Sequence, residues 1–135
     1  MAHFANVWTG DTYTETEIVS GVTISGRTIH TNEVIEVIIV PTGQESRGED
    51  YLINDLGLDG TWIQTSYNAT IRKNFAGERM YYEPVGDYFR PAQPYPSWEL
   101  NTDDGQWYAP VPYPDEGYWY WDEDSLSWVE VTSPT

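Results

Sequence analysis

The C-terminal third of the chain repeats itself, and the repeat fits one kind of element. Trp98-Glu99-Leu100-Asn101-Thr102-Asp103-Asp104-Gly105-Gln106-Trp107 aligns with Trp119-Tyr120-Trp121-Asp122-Glu123-Asp124-Ser125-Leu126-Ser127-Trp128 at an offset of 21 residues, with both bounding tryptophans and both acidic centres in step. The same tripeptide precedes each unit, Pro94-Tyr95-Pro96 and Pro112-Tyr113-Pro114, at an offset of 18, so Asp115-Glu116-Gly117 is a three-residue insertion. A weaker third copy lies at 81–91, with Tyr81, Tyr82, Tyr88 and Phe89 around Pro84-Val85-Gly86-Asp87. In each copy aromatic residues flank a turn rich in Asn, Asp, Gly or Pro, the pattern of a β-hairpin, and no copy has a helical period. Cross-strand aromatic pairs stabilise such a hairpin by about 0.5–1 kcal/mol. The proline-rich connectors favour extended backbone and cannot continue a ladder. Three successive hairpins joined by stiff links are therefore expected.

The first 80 residues read as strands of another kind. Residues 3–8 alternate, with Phe4 inward together with Val7 or Trp8, and residues 33–40 are rich in Val and Ile, as a buried strand is. Between them the Thr-, Ser- and Gly-rich stretch 9–31 allows an extra hairpin, Glu17-Ile18-Val19 and Val22-Thr23-Ile24 about a Ser20-Gly21 turn. One short helix is expected over 49–56, where Leu52, Ile53 and Leu56 share a face and Gly57 can cap the end. Residues 60–65 read as a strand, and 69–79 as a loop with a short strand. The fold class is mostly β: a small N-terminal antiparallel sheet with at most one short helix (residues 1–80), then about three aromatic hairpin repeats on proline-rich connectors (residues 81–135), together forming one structural domain.

Charge excludes several functions. The chain of 135 residues carries 22 acidic and 6 basic residues, a formal charge of -16. Phosphate neutralisation needs clustered Lys and Arg, so neither nucleic acid nor an anionic membrane is expected as a partner. All six basic residues lie at or before Arg90, and residues 91–135 hold nine carboxylates without a Lys or Arg. Those carboxylates face water, a cation or basic groups from elsewhere. There is no cysteine, which removes disulfides, thiolate metal sites and cysteine nucleophiles. The N-terminus lacks a basic, apolar leader, and the apolar run at 34–40 is too short to span a membrane. Asn68-Ala69-Thr70 matches a glycosylation sequon and is read as chance.

No catalytic residue, metal ligand or cofactor site is expected. The only histidines, His3 and His30, have no third ligand beside them. Asp103-Asp104 and Asp122-Glu123-Asp124 lack the spacing of a calcium loop and suit hairpin tips, where Asp and Asn make local turn bonds. Phosphate-binding glycine loops and a nucleophile elbow are absent from the sequence. The unusual feature is aromatic content: 14 of the 21 Trp, Tyr and Phe residues fall between Tyr81 and Trp128. Three readings stand side by side: a protein interface, a compact core built from few large rings, and a platform for stacking sugars. The candidate anchors are Tyr95, Trp98, Trp107, Tyr113, Trp119, Trp121 and Trp128.

His3-Phe4-Ala5, the Val-rich stretch 34–40, residues 60–68, Arg72-Lys73-Asn74-Phe75-Ala76-Gly77 and the tail from Pro94 through Val131 resemble a family of small acidic, Trp- and Tyr-rich proteins encoded by marine tailed bacteriophages, cyanophages among them. The stretch 9–31 departs as an insertion where relatives have a tight turn, and the segment after Asn68 is shorter than theirs. The resemblance implies a virion protein made in the host cytoplasm and attached to capsid or tail, as decoration or accessory. Its partners would be other virion proteins, with self-association and a host glycan as further candidates. A carbohydrate-binding module for host-surface glycan is the alternative function.

Overall fold

The structure, a computed structural model, describes residues 1–132. The last residues of the expected repeat segment, 133–135, lie outside the described residues. The fold is mostly β, with an N-terminal antiparallel sheet, a short helical segment and several small hairpins. The chain divides into two compact units, Met1–Arg90 and Pro91–Thr135. The contact boundary therefore falls one hairpin later than residue 80, and the weakest repeat copy belongs to the first unit.

In the first unit, β1 (Ala2–Val7) is the centre of a three-stranded sheet, flanked by β4 (Val34–Val40) and β5 (Thr61–Thr65) in the order β4-β1-β5. Both pairings are antiparallel, and a bulge shifts the β1–β4 register between Asn6 and Val7. Alternation along β1 sends Phe4 and Ala2 to one face, Ala5 and Val7 to the other. Phe4 and Val7 are both buried, as expected, but in different cores. Phe4 packs with Val40, Trp62 and Leu52, the last supplied by the helical segment. Ala5 and Val7 pack with Val34, Ala76 and Phe89. A strand covered on both faces has little room for a charged side chain, and 2–7 carries no Asp, Glu, Lys or Arg.

Residues 45–55 wind as a 3₁₀ turn (Glu45–Arg47), one α turn (α1, Gly48–Asp50) and a π turn (Tyr51–Asp55). The segment starts four residues before the expected helix. Gly48 explains the early start: a Cβ there would collide with the Phe4 ring, so glycine lets the backbone lie on the sheet. Gly57 does end the segment in the left-handed region, with φ +69.

β2 (Tyr13–Val19) and β3 (Val22–Ile29) form the extra hairpin. Its turn is Ser20-Gly21, with φ of 53 and 78, the two positive values a two-residue hairpin turn of matching twist requires. Residues 66–80 hold no strand, contrary to expectation; the segment instead ties elements together through backbone groups. Thr65 Oγ1 accepts from the Ala76 N–H at 2.9 Å, and Asn74 Nδ2 donates to the Phe89 carbonyl at 2.8 Å. These bonds bring the hairpin β6 (Tyr81–Glu83) and β7 (Tyr88–Arg90) onto the second face of the sheet, where Phe89 is fully buried.

The second unit contains hairpins β8 (Glu99–Asn101) with β9 (Gln106–Tyr108), and β10 (Trp119–Asp122) with β11 (Ser127–Glu130). All three repeat copies are thus hairpins, and each closes on a four-residue loop after Glu83, Asn101 or Asp122. The last loop residue is left-handed each time: Asp87 at φ 55, Gly105 at 72 and Leu126 at 51. Two residues further on stand Phe89, Trp107 and Trp128, each facing Tyr82, Leu100 or Trp121 across the ladder. The repeat seen in the sequence is a repeat of backbone geometry.

Candidate binding site: an aromatic groove

Among the described residues of the second unit the packing is made by rings rather than aliphatic side chains. Strand alternation separates the run 118–121 by chemistry. Trp121 turns inward and is 5 % exposed, whereas Tyr118 and Tyr120 face solvent at 80 % and 54 %. Trp121 meets its cross-strand partner Trp128 at 5.2 Å between centroids, nearly edge to face. Trp98 packs on both, at 6.0 Å from each. Tyr95 tilts against Trp98 at 5.5 Å, and Tyr113 stands edge-on to Trp128 at 5.0 Å. These are the offset and perpendicular arrangements that ring quadrupoles favour. Five of the seven predicted anchors therefore form one continuous ring cluster.

The other two sit differently. Trp107 shares a groove with Trp98, Tyr113 and Trp128. Trp119 is held apart from that groove by its own bonds: its backbone N–H donates to Tyr113 Oη at 3.0 Å, and its indole N–H to the Glu116 carbonyl at 2.7 Å. Tyr95 and Tyr113, both candidate anchors, each pack against a tryptophan of their own unit. The seven residues are thus both core and surface: Trp121 is buried, Tyr113 is half exposed, and the remaining five lie between.

The groove has a volume of about 210 Å³ and is completed by Tyr108, Ala109, Val111 and Pro112. None of these four is among the seven candidate anchors, although Pro112 belongs to a connector the sequence singled out. Their signal was position: Tyr108 follows the repeat tryptophan at the end of β9, and Ala109, Val111 and Pro112 run into the second connector. Three of the groove's polar side-chain groups are turned to partners inside the unit. Trp107 donates its indole N–H to the Pro91 carbonyl at 2.9 Å and Trp128 donates to the Val111 carbonyl at 2.8 Å. Tyr108 donates its hydroxyl to Asp104 at 2.5 Å, which raises the phenol above its ordinary pKa. The indole nitrogen of Trp98 is buried without a partner.

Glu123, in the last hairpin loop, holds the cluster together. Its carboxylate accepts the Trp121 indole N–H at 2.8 Å, the Ser97 hydroxyl at 2.7 Å and the Ser97 backbone N–H at 3.0 Å. The Trp121 bond foremost, with the two Ser97 bonds, lowers its pKa below the ordinary glutamate value. A lowered folded-state pKa contributes stability that is present above the ordinary glutamate range and is lost as acid takes the pH down through the lowered value. We expect the tryptophan emission of the wild type to change on acidification and Glu123→Gln to flatten that part of the titration. Superimposable acid titrations of the two proteins would rule out this carboxylate as the cause.

The acidic hairpin tips make local bonds, as turn chemistry leads one to expect. Asn101 Oδ1 accepts from the Asp103 N–H at 2.8 Å, Asp104 Oδ1 from the Gln106 N–H at 2.8 Å, and Asp122 Oδ2 from the Ser125 hydroxyl at 2.7 Å. Among the described residues no group of three or more His, Asp or Glu side chains is placed to hold a metal ion. No helix among them is long and apolar enough to cross a membrane. In the first unit His3 lies on β1 against Phe75 at 5.2 Å and Tyr67 at 6.2 Å, beside a polar depression of about 240 Å³. Comparison with family models, curated proteins and solved structures finds no match to this chain.

Proposed function

We propose that the chain is a non-enzymatic accessory protein of a bacteriophage virion, bound to capsid or tail through protein–protein contacts of its second unit. The phage assignment rests on the resemblance of the tail motifs from Pro94 through Val131. The observation that carries the contact mode is the groove: half-exposed aromatic and proline surface whose Trp107 and Trp128 indole N–H groups and Tyr108 hydroxyl are already engaged inside the unit. Such a surface rewards burial of apolar partner groups, at about 25 cal/mol per Å², and places Trp and Tyr where interface hot spots concentrate. A glycan-binding face needs free polar groups beside its rings to pair with sugar hydroxyls, whereas the Trp107 and Trp128 indole N–H groups and the Tyr108 hydroxyl are held in internal bonds.

Mass spectrometry of purified particles of the encoding phage tests the proposal, with copy number measured against the major capsid protein. The chain is expected in the particles: hundreds of copies mean decoration of the capsid, and six to a few dozen mean the tail or neck. Absence from the particles overturns the virion reading. A tryptophan emission change that saturates with host polysaccharide, and not with virion proteins, moves the function to glycan binding.

A further inference from the structure

The second unit already binds proline-rich backbone, its own. Trp107 and Trp128 occupy the same place in the repeat, and each donates its indole N–H to a carbonyl of a proline-bearing connector, at Pro91 and Val111. Val111 lies between Pro110 and Pro112, so its neighbours fix or restrict the backbone to extended conformations. Tyr113, one residue beyond Pro112, packs edge-on against Trp128. Aromatic walls with an indole donor to a carbonyl are the means by which polyproline segments are recognised in general, because such segments lose little entropy on binding. The groove adds an open stretch of the same wall next to these internal examples.

Charge narrows the occupant further. Residues 91–135 contain no Lys, Arg or His against nine carboxylates. Glu99 faces Tyr108 across the β8–β9 ladder, Asp104 bonds the Tyr108 hydroxyl, and Asp115 and Glu116 follow directly on the Tyr113 connector. Carboxylates thus lie beside Tyr108 and follow Tyr113 in the chain, next to an apolar trough. We propose that the groove takes an extended, proline-rich peptide segment flanked by Lys or Arg, presented by a partner protein. The inference rests on the protein-contact reading of the second unit and names the chemistry of the partner. The prolines lie on the rings, and the basic flanks meet the acidic rim, which supplies orientation and association rate.

A lysine-flanked oligoproline peptide titrated into the full chain, with the indole N–H resonances followed by NMR, tests it. Saturable shifts of Trp98, Trp107 and Trp128 are expected, with Trp8 and Trp62 of the first unit unmoved. Val111→Lys puts a cation into the trough and is expected to weaken binding roughly tenfold or more, about 1.4 kcal/mol. Glu99→Lys changes only an exposed rim charge and is expected to weaken binding by a smaller factor that shrinks as salt is added. No saturable shift with the wild type overturns the proposal, as does equal binding of a glutamate-flanked oligoproline or an alanine-rich control. The virion measurement is independent: a chain found in particles that ignores oligoproline leaves the virion reading standing, and binding by a chain absent from particles leaves only the groove.

Discussion

Replacing Phe89 by Ala will destabilise the first unit by about 3–4 kcal/mol, the cost of removing a fully buried ring from a packed cluster. Phe89 lies against Ala5, Val7 and Val34, so the cavity opens beneath the central strand. Its loss also releases the hairpin β6–β7, which is fixed by the Phe89 ring, by the Phe89 N–H donating to the Arg72 carbonyl and by the Asn74 side-chain amide donating to the Phe89 carbonyl. Amide hydrogen exchange of β1 is the measurement: protection there should fall by two to three orders of magnitude, the equivalent of that free energy. Phe89→Leu, which keeps most of the volume, should cost under about 1.5 kcal/mol. If Phe89→Ala leaves β1 protection unchanged, the hairpin is not part of this core, and the boundary after Arg90 is wrong.

Arg27→Ala is expected to cost about 2–3 kcal/mol for a different reason. Glu33 is 3 % exposed and sits where the chain passes from β3 to β4. Its carboxylate forms a close ion pair with Arg27 and accepts the His30 N–H at 3.1 Å. Removing the guanidinium leaves a buried carboxylate with one neutral donor, and stranding a buried charge costs more than the intact pair contributes. Arg27 keeps part of its side chain in water, which places the expectation below the range for fully buried pairs. Equilibrium urea unfolding followed by circular dichroism measures it, and the double variant Arg27→Ala with Glu33→Gln should recover part of the loss. A single variant within about 0.5 kcal/mol of the wild type would mean that water replaces the arginine.

Both expectations depend on contacts between residues far apart in sequence, and these separate what was legible from what was not. Turn chemistry was legible because it is local. Ser20-Gly21 marked its own hairpin, since only residues that tolerate positive φ fit a two-residue turn there. Gly57 marked the end of the helical segment in the same way. The repeat was legible because both copies needed the same rings on either side of the same loop. The early start of the helical segment was not legible: Gly48 reads as a breaker until the Phe4 ring lies over it. The missing strand in 66–80 had no local signal either, because that segment is held by bonds it donates to Thr65 and Phe89.

The candidate site divides along the same line. Its seven anchors were named from aromatic density and repeat position, and five of them form one ring cluster. Composition could not say which face each ring takes. Alternation makes Trp121 core and Tyr120 surface, though they are neighbours in the chain. Glu123 looked like one more acid at a hairpin tip, and folding brings it to Ser97, 26 residues away.

The sequence alone determined the strand period, the hairpin turns, the hairpin repeat and the acidic character of residues 91–135, which hold no Lys, Arg or His. These follow from interactions within a few residues, which a linear reading contains. Only the tertiary structure decided the allocation of three similar hairpins. One lost its phenylalanine to the core of the first unit, and the other two turned their tryptophans toward each other and left a groove. That choice depends on which apolar faces find each other after the chain has closed long loops, and no local propensity encodes it.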